Sequence, residues 1–500
     1  MKHLKIFSLL LIVLGIFACT DLQEDPVGEL APDGFFKKTG DVEAAIFGAY
    51  GRMASEGYWG RKQSLTIMLL SDMVDIGDPG TPSRRKQINS FTSDAFSGMV
   101  SSFWPRSYDI ISAANNAIYG AEVIEADEDV KNALKAEAMF ARSFIYFNLV
   151  RLFGDIPYIG ESISDPEAVA DLLKTSAADV YGYIIADLEF GKQHLPMTQN
   201  ARARASAGAA ATMLADVYLT LGDYSKAYEN AKWVIDHATD LEYELEADYQ
   251  NLFDGSKQDN LKEPIYVIDF LGQQAGGSSE GDDLFGPLTG IRGSDMQGWG
   301  VAVPSMAVYE SWDDRDYRKS VAFDAETTKG GVTIPYTEFN NEKRPHIAKY
   351  TRFPGTADLN NRYTDFNYAI YRYADVLLMA AEAGNEVSGP NAELIGYVNQ
   401  VRARARNAAG VMNDFPADVQ AGLSKDEFRD LILEERRLEL SFELKRWWDI
   451  KRRQLGDEVF KGASSLEPHE NFNAARDYLL ALPQIDLDRN PNLLPQNPGY

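Results

Sequence analysis

The residues of this chain that could do chemistry are a single thiol, five imidazoles, and dense clusters of carboxylates and guanidiniums. The imidazoles, His3, His194, His237, His346 and His469, lie too far apart in sequence for the close ligand spacing of a zinc site. Asp282 and Asp283, and later Asp313, Asp314 and Asp316, offer oxygens of the kind calcium takes, but without the regular spacing of a calcium loop. No cofactor is therefore expected. The densest carboxylate cluster, Glu434, Glu435, Glu439 and Glu443, is interleaved with Arg436 and Arg437. Two acids cleave a glycosidic bond only when they flank it at a catalytic separation; Glu and Arg this dense on one helix read instead as an ion-pair network. Glu435 shares an apolar stripe with Leu431 and Leu438, where an unpaired charge is costly, and Arg436, Arg437 or Lys349 is its expected partner. Arg372 and Asp375 are spaced to face each other on one helix. There is no phosphate-binding glycine loop, dinucleotide fingerprint or nucleophile elbow. The chain is not expected to be an enzyme.

The thiol is Cys19, which closes an apolar leader. Lys2, His3 and Lys5 precede about a dozen apolar residues, the length of a signal-peptide core and well short of the roughly 20 needed to span a bilayer. The run Ile16-Phe17-Ala18-Cys19 resembles the bacterial lipobox. In that reading residues 1–18 are a signal peptide and the Cys19 thiol is acylated. One acyl chain holds a protein to a membrane only reversibly, so stable anchoring needs more than one. Residues 19–32, polar and acidic at Asp21, Glu24 and Asp25, read as the tether.

The 500 residues are 45% hydrophobic and 25% charged, an ordinary globular composition with length for an ample core. Removing the leader takes Lys2 and Lys5 and no acid, so the net charge moves from −26 to −28. Such acidity argues against nucleic acid and against adsorption to anionic lipid. A lone cysteine leaves no internal disulfide.

The elements that must position these groups are mostly helices. Apolar spacing of helical period runs over residues 41–50, 131–153, 178–195, 206–221, 224–237, 369–386, 392–408 and 425–451. The pair 206–221 and 224–237, with small residues beside the Leu221-Gly222-Asp223-Tyr224 corner, resembles a tetratricopeptide hairpin. Residues 254–367 differ. They are rich in Gly, Pro, Asp and Ser, as in 276–283, with short β-like runs at 264–270 and 332–336. More than about a hundred residues of that texture are too many for an idle loop. The tail, 482–500, is proline-rich and extended.

The C-terminal half carries recognisable motifs. Asp365, Tyr371-Arg372-Tyr373-Ala374-Asp375-Val376-Leu377-Leu378-Met379 with Glu382 and Asn385, Val398 to Ala405, Glu434 to Leu440 with Phe442-Glu443 and Arg446-Trp447-Trp448-Asp449, and the end Asn490-Pro491-Asn492-Leu493 with Gln496 to Tyr500 resemble, in order, the hallmark segments of the SusD/RagB family. Asp33-Gly34-Phe35-Phe36-Lys37-Lys38 is similar to the family's opening. The resemblance implies a mostly α, SusD-like fold. Its tetratricopeptide-like hairpins would occupy an N-terminal region, 33–253. A C-terminal region, 254–500, would include an irregular, loop-rich ligand face at 254–367 with short β segments.

It further implies a lipid-anchored outer-membrane protein facing outside. Such a protein captures glycan without catalysis and delivers it to a SusC-like TonB-dependent transporter, with the repeat units as the expected transporter surface. A peptide-capturing, RagB-type protein is the alternative within the family, and a surface hydrolase the alternative outside it. Glycan capture calls for flat aromatic faces beside polar groups. Tyr58 and Trp59 after Gly57, with Phe285 and Trp299 in the irregular segment, are the candidate platforms, and Asp75, Arg84, Arg292 and Asp295 the polar partners. Trp104, Trp233, Trp447 and Trp448 stand in helical or motif contexts and read as packing.

Overall fold

The computed structural model describes residues 32–270, 284–353, 355 and 364–500. The leader, Cys19, nearly all of the expected tether and the run 276–283 lie outside the described residues.

Helices carry the scaffold. The N-terminal half holds α1 (Thr39–Met53), α2 (Lys62–Leu69), α3 (Ser83–Asn89), α4 (Val100–Val123), α5 (Glu128–Phe153), α6 (Ala177–His194), α7 (Ala207–Leu221) and α8 (Tyr224–Asp236). The C-terminal half holds α9 (Tyr373–Ser388), α10 (Ala392–Ala405), α11 (Lys425–Glu439) and α12 (Arg446–Arg452). From α4 to α8 each helix packs on the next, and α8 packs on α9, so that one apolar cluster runs through both halves. The α7–α8 hairpin forms for local reasons. Ser206 caps α7 by accepting from the Ala209 amide, Gly222 ends it in the left-handed region at φ 75°, and Asp223 caps α8 through the Lys226 amide. The buried alanines of α7 admit close neighbours: a Cβ on Gly191 of α6 would stand 3.3 Å from the Ala210 methyl. No helix of the described residues is long and apolar enough to cross a membrane.

The strands are short: β1 (Asp75–Ile76), β2 (Pro264–Ile268), β3 (Ala302–Val303), β4 (Phe323–Asp324), β5 (Glu326–Lys329), β6 (Val332–Pro335), β7 (His346–Ile347), β8 (Tyr368–Arg372), and the pair β9 (Asn407–Ala408) with β10 (Val411–Met412), where the expected helix over 392–408 has already ended at Ala405. They pair antiparallel as β1 with β3, β2 with β8, β4 with β7 and β5 with β6. Three further expectations are corrected here. Residues 369–372 are strand, not helix, because they pair with β2 inside the core. Residues 425–451 are two helices, broken where Phe442 and Leu444 take left-handed backbone at φ 63° and 62°. The tail contains a helical turn over Gln484–Arg489 and is not extended throughout.

That break lets Glu443 and Lys445 turn inward to buried partners. Arg372, extended at the start of α9, donates to Glu443 at 2.7 Å, to Glu263 at 2.7 Å and to Glu439 at 2.5 Å. Arg404 reaches Glu263 at 2.8 Å and also pairs with Glu439. Lys349 donates to Glu443 at 2.7 Å, and Arg318 to Glu435 at 2.6 Å and Asp316 at 2.8 Å. Each acid in this buried network thus meets at least one base. The expected Arg372–Asp375 pair does not form, since Arg372 belongs to the strand; Asp375 instead takes Arg436 at 2.7 Å and Lys445 at 2.9 Å. Nor does Glu435 pair with Arg436, Arg437 or Lys349: its partners are Arg318 and, at 2.7 Å, Arg402. The cluster is a structural network that fastens the helical half to the irregular segment.

Candidate ligand-binding face

The irregular segment folds back on the helices through main-chain contacts. The Leu284 amide donates to the Gly60 carbonyl at 3.0 Å, Gly77 to Val301 at 2.9 Å and Val301 to Leu288 at 2.7 Å. These bonds bring three stretches, 57–62, 75–85 and 284–303, to one side of the molecule. A backbone crossing of Gly290 with Gly298 holds them: a Cβ on Gly298 would lie 2.1 Å from the Gly290 carbonyl carbon. Gly298→Ala is therefore expected to cost about 1–3 kcal/mol, as overpacking does, and to displace Trp299 and β3. A melting temperature unchanged from wild type would contradict this.

The structure gathers the predicted residues on that side, but not as platforms. Tyr58 is fully buried, Trp59 is 5% exposed with its ring 5.5 Å from Phe144, and Phe285 is 1% exposed with its ring 4.6 Å from Tyr368. The expectation that these three present solvent-facing faces is corrected: long-range helix and strand packing covers them. Trp299 is half-buried against the core. Trp104, Trp447 and Trp448 are buried, and Trp233 is half-buried.

The polar candidates hold the face together. Asp75 pairs with Arg344 at 3.4 Å, and Arg292, exposed, pairs with Asp78 at 2.9 Å. The stem of Arg84 lies along Gly98. Asp295 accepts from the amides of Gly330 and Gly331 at 2.6 and 2.9 Å, and those two donors lower its carboxyl. It thereby pins the tip of the β5–β6 hairpin, whose two-residue Gly330-Gly331 turn has positive φ at both positions (59° and 76°), as such a turn requires.

Beside that hairpin opens a cleft of about 660 Å³. Tyr309, Tyr317 and Phe353 supply its aromatic surface, and Thr327, Thr328 and Thr333 of the hairpin supply hydroxyls. Phe353 is 43% exposed. Tyr309 packs edge-on to Phe323 at 5.3 Å, with the Lys319 ammonium 4.1 Å from its ring centre. The Tyr317 hydroxyl donates to Asp248 at 2.9 Å; burial, then that carboxylate, raises its pKa well above the ordinary value. Arg352 forms the floor, donating to Asp324 at 2.7 and 2.9 Å, to the Phe323 carbonyl at 2.8 Å and to the Ser320 carbonyl at 2.6 Å. Burial raises the Asp324 carboxyl although Arg352 opposes it.

The acids weighed for calcium are ion-paired: Asp313 with Arg315 at 2.7 Å, Asp314 with Lys319 at 2.6 Å and Asp316 with Arg318 at 2.8 Å. Asp282 and Asp283 lie outside the described residues. Among the described residues no group of His, Cys, Asp and Glu is placed to hold a metal. Sequence reading missed Tyr309, Tyr317 and Phe353. The available signal was the Gly330-Gly331 pair flanked by threonine-rich strands inside the irregular segment, which marks a hairpin.

A family model described as "SusD family" matches residues 292–500, and one described as "Starch-binding associating with outer membrane" matches residues 55–219. A SusD-like protein of Formosa agariphila is 50% identical over 510 residues, covering 100% of both chains. A SusD homologue of Bacteroides thetaiotaomicron superposes with a TM-score of 0.82 at 22% identity, over 94% of this chain and 98% of its own. Surface glycan-binding protein A of the same organism, in complex with laminarihexaose, superposes with a TM-score of 0.74 at 18% identity, over 92% and 99%. At these identities the two superpositions establish the fold.

Proposed function

The chain belongs to the SusD family, and from that membership we propose that it captures glycan at the cell surface without catalysis. The observation that carries this reading is the hairpin cleft, where aromatic faces stand beside hydroxyls and a fixed guanidinium. One aromatic face burying about 100 Å² contributes roughly 2.5 kcal/mol at about 25 cal/mol per Å², and two contribute roughly 5 kcal/mol. That is sub-millimolar binding before ordering costs, adequate for a protein that must release its cargo. Asp324 and Asp314 at the cleft are engaged by Arg352 and Lys319, while Glu326, which also lines it, is exposed. The names of the glycan-binding relatives support the ligand class. Acylation at Cys19, outward display on the outer membrane and delivery to a SusC-like transporter complete the proposal; the lipobox-like run and the family-model description support them.

Titration calorimetry of the chain from residue 20 onward against plant, host and microbial glycans tests the reading. At least one oligosaccharide should bind, and Tyr309→Ala should weaken it at least tenfold. Binding of peptides with no glycan bound, hydrolysis of the bound glycan, or an unchanged Tyr309→Ala affinity would each overturn it.

A further inference from the structure

Four cations converge where α2 and α3 pack. Arg61 precedes α2, Lys62 opens it, and Arg84 and Arg85 begin α3, which packs on α2. Lys62 lies within electrostatic reach of Arg61, Arg84 and Arg85. Arg61 is paired with Glu56. Lys62, Arg84 and Arg85 have no carboxylate within ion-pair distance among the described residues. Arg85 is 6% exposed and donates to the Thr81 hydroxyl at 3.0 Å. Its Nε, like that of Arg84, is buried without a hydrogen-bond partner. Asp78, the acid that acts on Arg85, is spent on Arg292 at 2.9 Å. Burial first, and the neighbouring guanidiniums second, lower the Lys62 ammonium to about 8 and Arg85 to about 10.

Mutual repulsion of this kind is costly; buried Arg318, Arg372 and Arg404, by contrast, are each matched by carboxylates. It also stands out against a net charge of −26. Guanidinium nitrogens in a partly dry site bind oxyanions strongly, because charge-assisted bonds gain where the local dielectric is low. An acidic protein repels a polyanion in general, so a local cationic patch is the feature that would admit one. Arg292 links the neighbourhood of the patch to the hairpin: it pairs with Asp78 at 2.9 Å and stands three residues from Asp295, which pins the hairpin tip.

We propose that Lys62, Arg84 and Arg85 form an anion subsite that takes a charged substituent of the captured glycan, a sulfate ester or a uronate carboxylate, so that the preferred ligand is an acidic polysaccharide. The proposal rests on the glycan-capture reading above. Occupancy by an oxyanion would neutralise the cluster.

The test is calorimetry at low salt with three probes: neutral laminarihexaose, a galacturonate hexasaccharide and a sulfated carrageenan hexasaccharide. At least one acidic probe should bind tenfold or more tighter than the neutral one, and which one does identifies the substituent. Adding salt should narrow that ratio, and the Lys62→Gln, Arg84→Gln double variant should reduce it at least tenfold. Should the double variant fail to fold by its thermal melt, Arg84→Lys, which keeps the charge and loses the planar fork, should lower the ratio alone. Equal affinity for acidic and neutral probes, or a ratio untouched by the variants, overturns the anion subsite while glycan capture stands, provided Tyr309→Ala still weakens binding at least tenfold. Binding of no probe, acidic or neutral, overturns the anion subsite, and glycan capture falls with it only if the whole glycan panel also fails.

Discussion

Replacing Arg372 by alanine is expected to destabilise the protein by about 3–5 kcal/mol, the cost of leaving buried charges without their partner. Arg372 is 2% exposed and touches Glu263, Glu439 and Glu443, each buried. Burial alone would raise the Glu439 carboxyl; Arg404, Arg372 and Arg318 together overcome it and hold it at about 2. Its ionised form is therefore favoured by folding. A depressed carboxyl contributes stability that is present above its unfolded value near 4.5 and is lost as pH falls toward 2. Acid should accordingly unfold the wild type through this network, and Arg372→Ala should blunt that part of the acid response while lowering stability at pH 7. As a reference, Lys461→Ala removes an exposed pair with Asp457 and should cost under about 0.5 kcal/mol. Urea melts of both variants decide the matter: if they lose similar stability, the buried network is not what fastens the helices to the irregular segment.

Glu467→Gln is expected to act in the opposite direction, by an amount that grows as pH rises from about 4.5 to about 7. Glu467 is 8% exposed, in a turn held to the face by the Ser305 hydroxyl, which donates to the Leu466 carbonyl at 2.7 Å. Burial, and then the Asp75 carboxylate, push its carboxyl up to about 7. A raised carboxyl is stabilising while protonated. Its contribution is whole below the unfolded value near 4.5 and is lost as pH rises through about 7. At about 1.36 kcal/mol per pH unit that loss approaches about 3 kcal/mol by pH 8. The amide cannot ionise, so the variant should match wild type at pH 4.5 and exceed it by about 2–3 kcal/mol at pH 8. Parallel stability curves for the two proteins from pH 4.5 to 8 would show that Glu467 titrates normally.

The helices were legible because amphipathic period and capping are local. The apolar stripe of 131–153 appears as α5 (Glu128–Phe153), and the Gly222-Asp223 corner joins α7 to α8 where the sequence places it. The motifs that carry the family resemblance were legible for a related reason: they hold the charged residues of the buried networks. Which charge meets which was not. The Glu435–Arg318 bond joins residues 117 apart, and the strand that aims Arg372 at Glu443 exists only once β2 lies beside it.

The candidate ligand face divides in the same way. Residue type marked segment 254–367 as different in kind, and Lys62, Arg84 and Arg85 are cations in any fold. Exposure is a property of the whole packing, so Tyr58, Trp59 and Phe285, aromatic and in loop-like contexts, became core. Tyr309, Tyr317 and Phe353 became a cleft wall only when β4 paired with β7 and the β5–β6 hairpin closed beside them. By itself the sequence determined the helical scaffold, the family and the thiol at Cys19, because each depends on spacing along the chain. Which aromatic faces meet solvent, and which cations go unneutralised, was decided by tertiary structure, because both depend on what distant segments bring within a few ångströms.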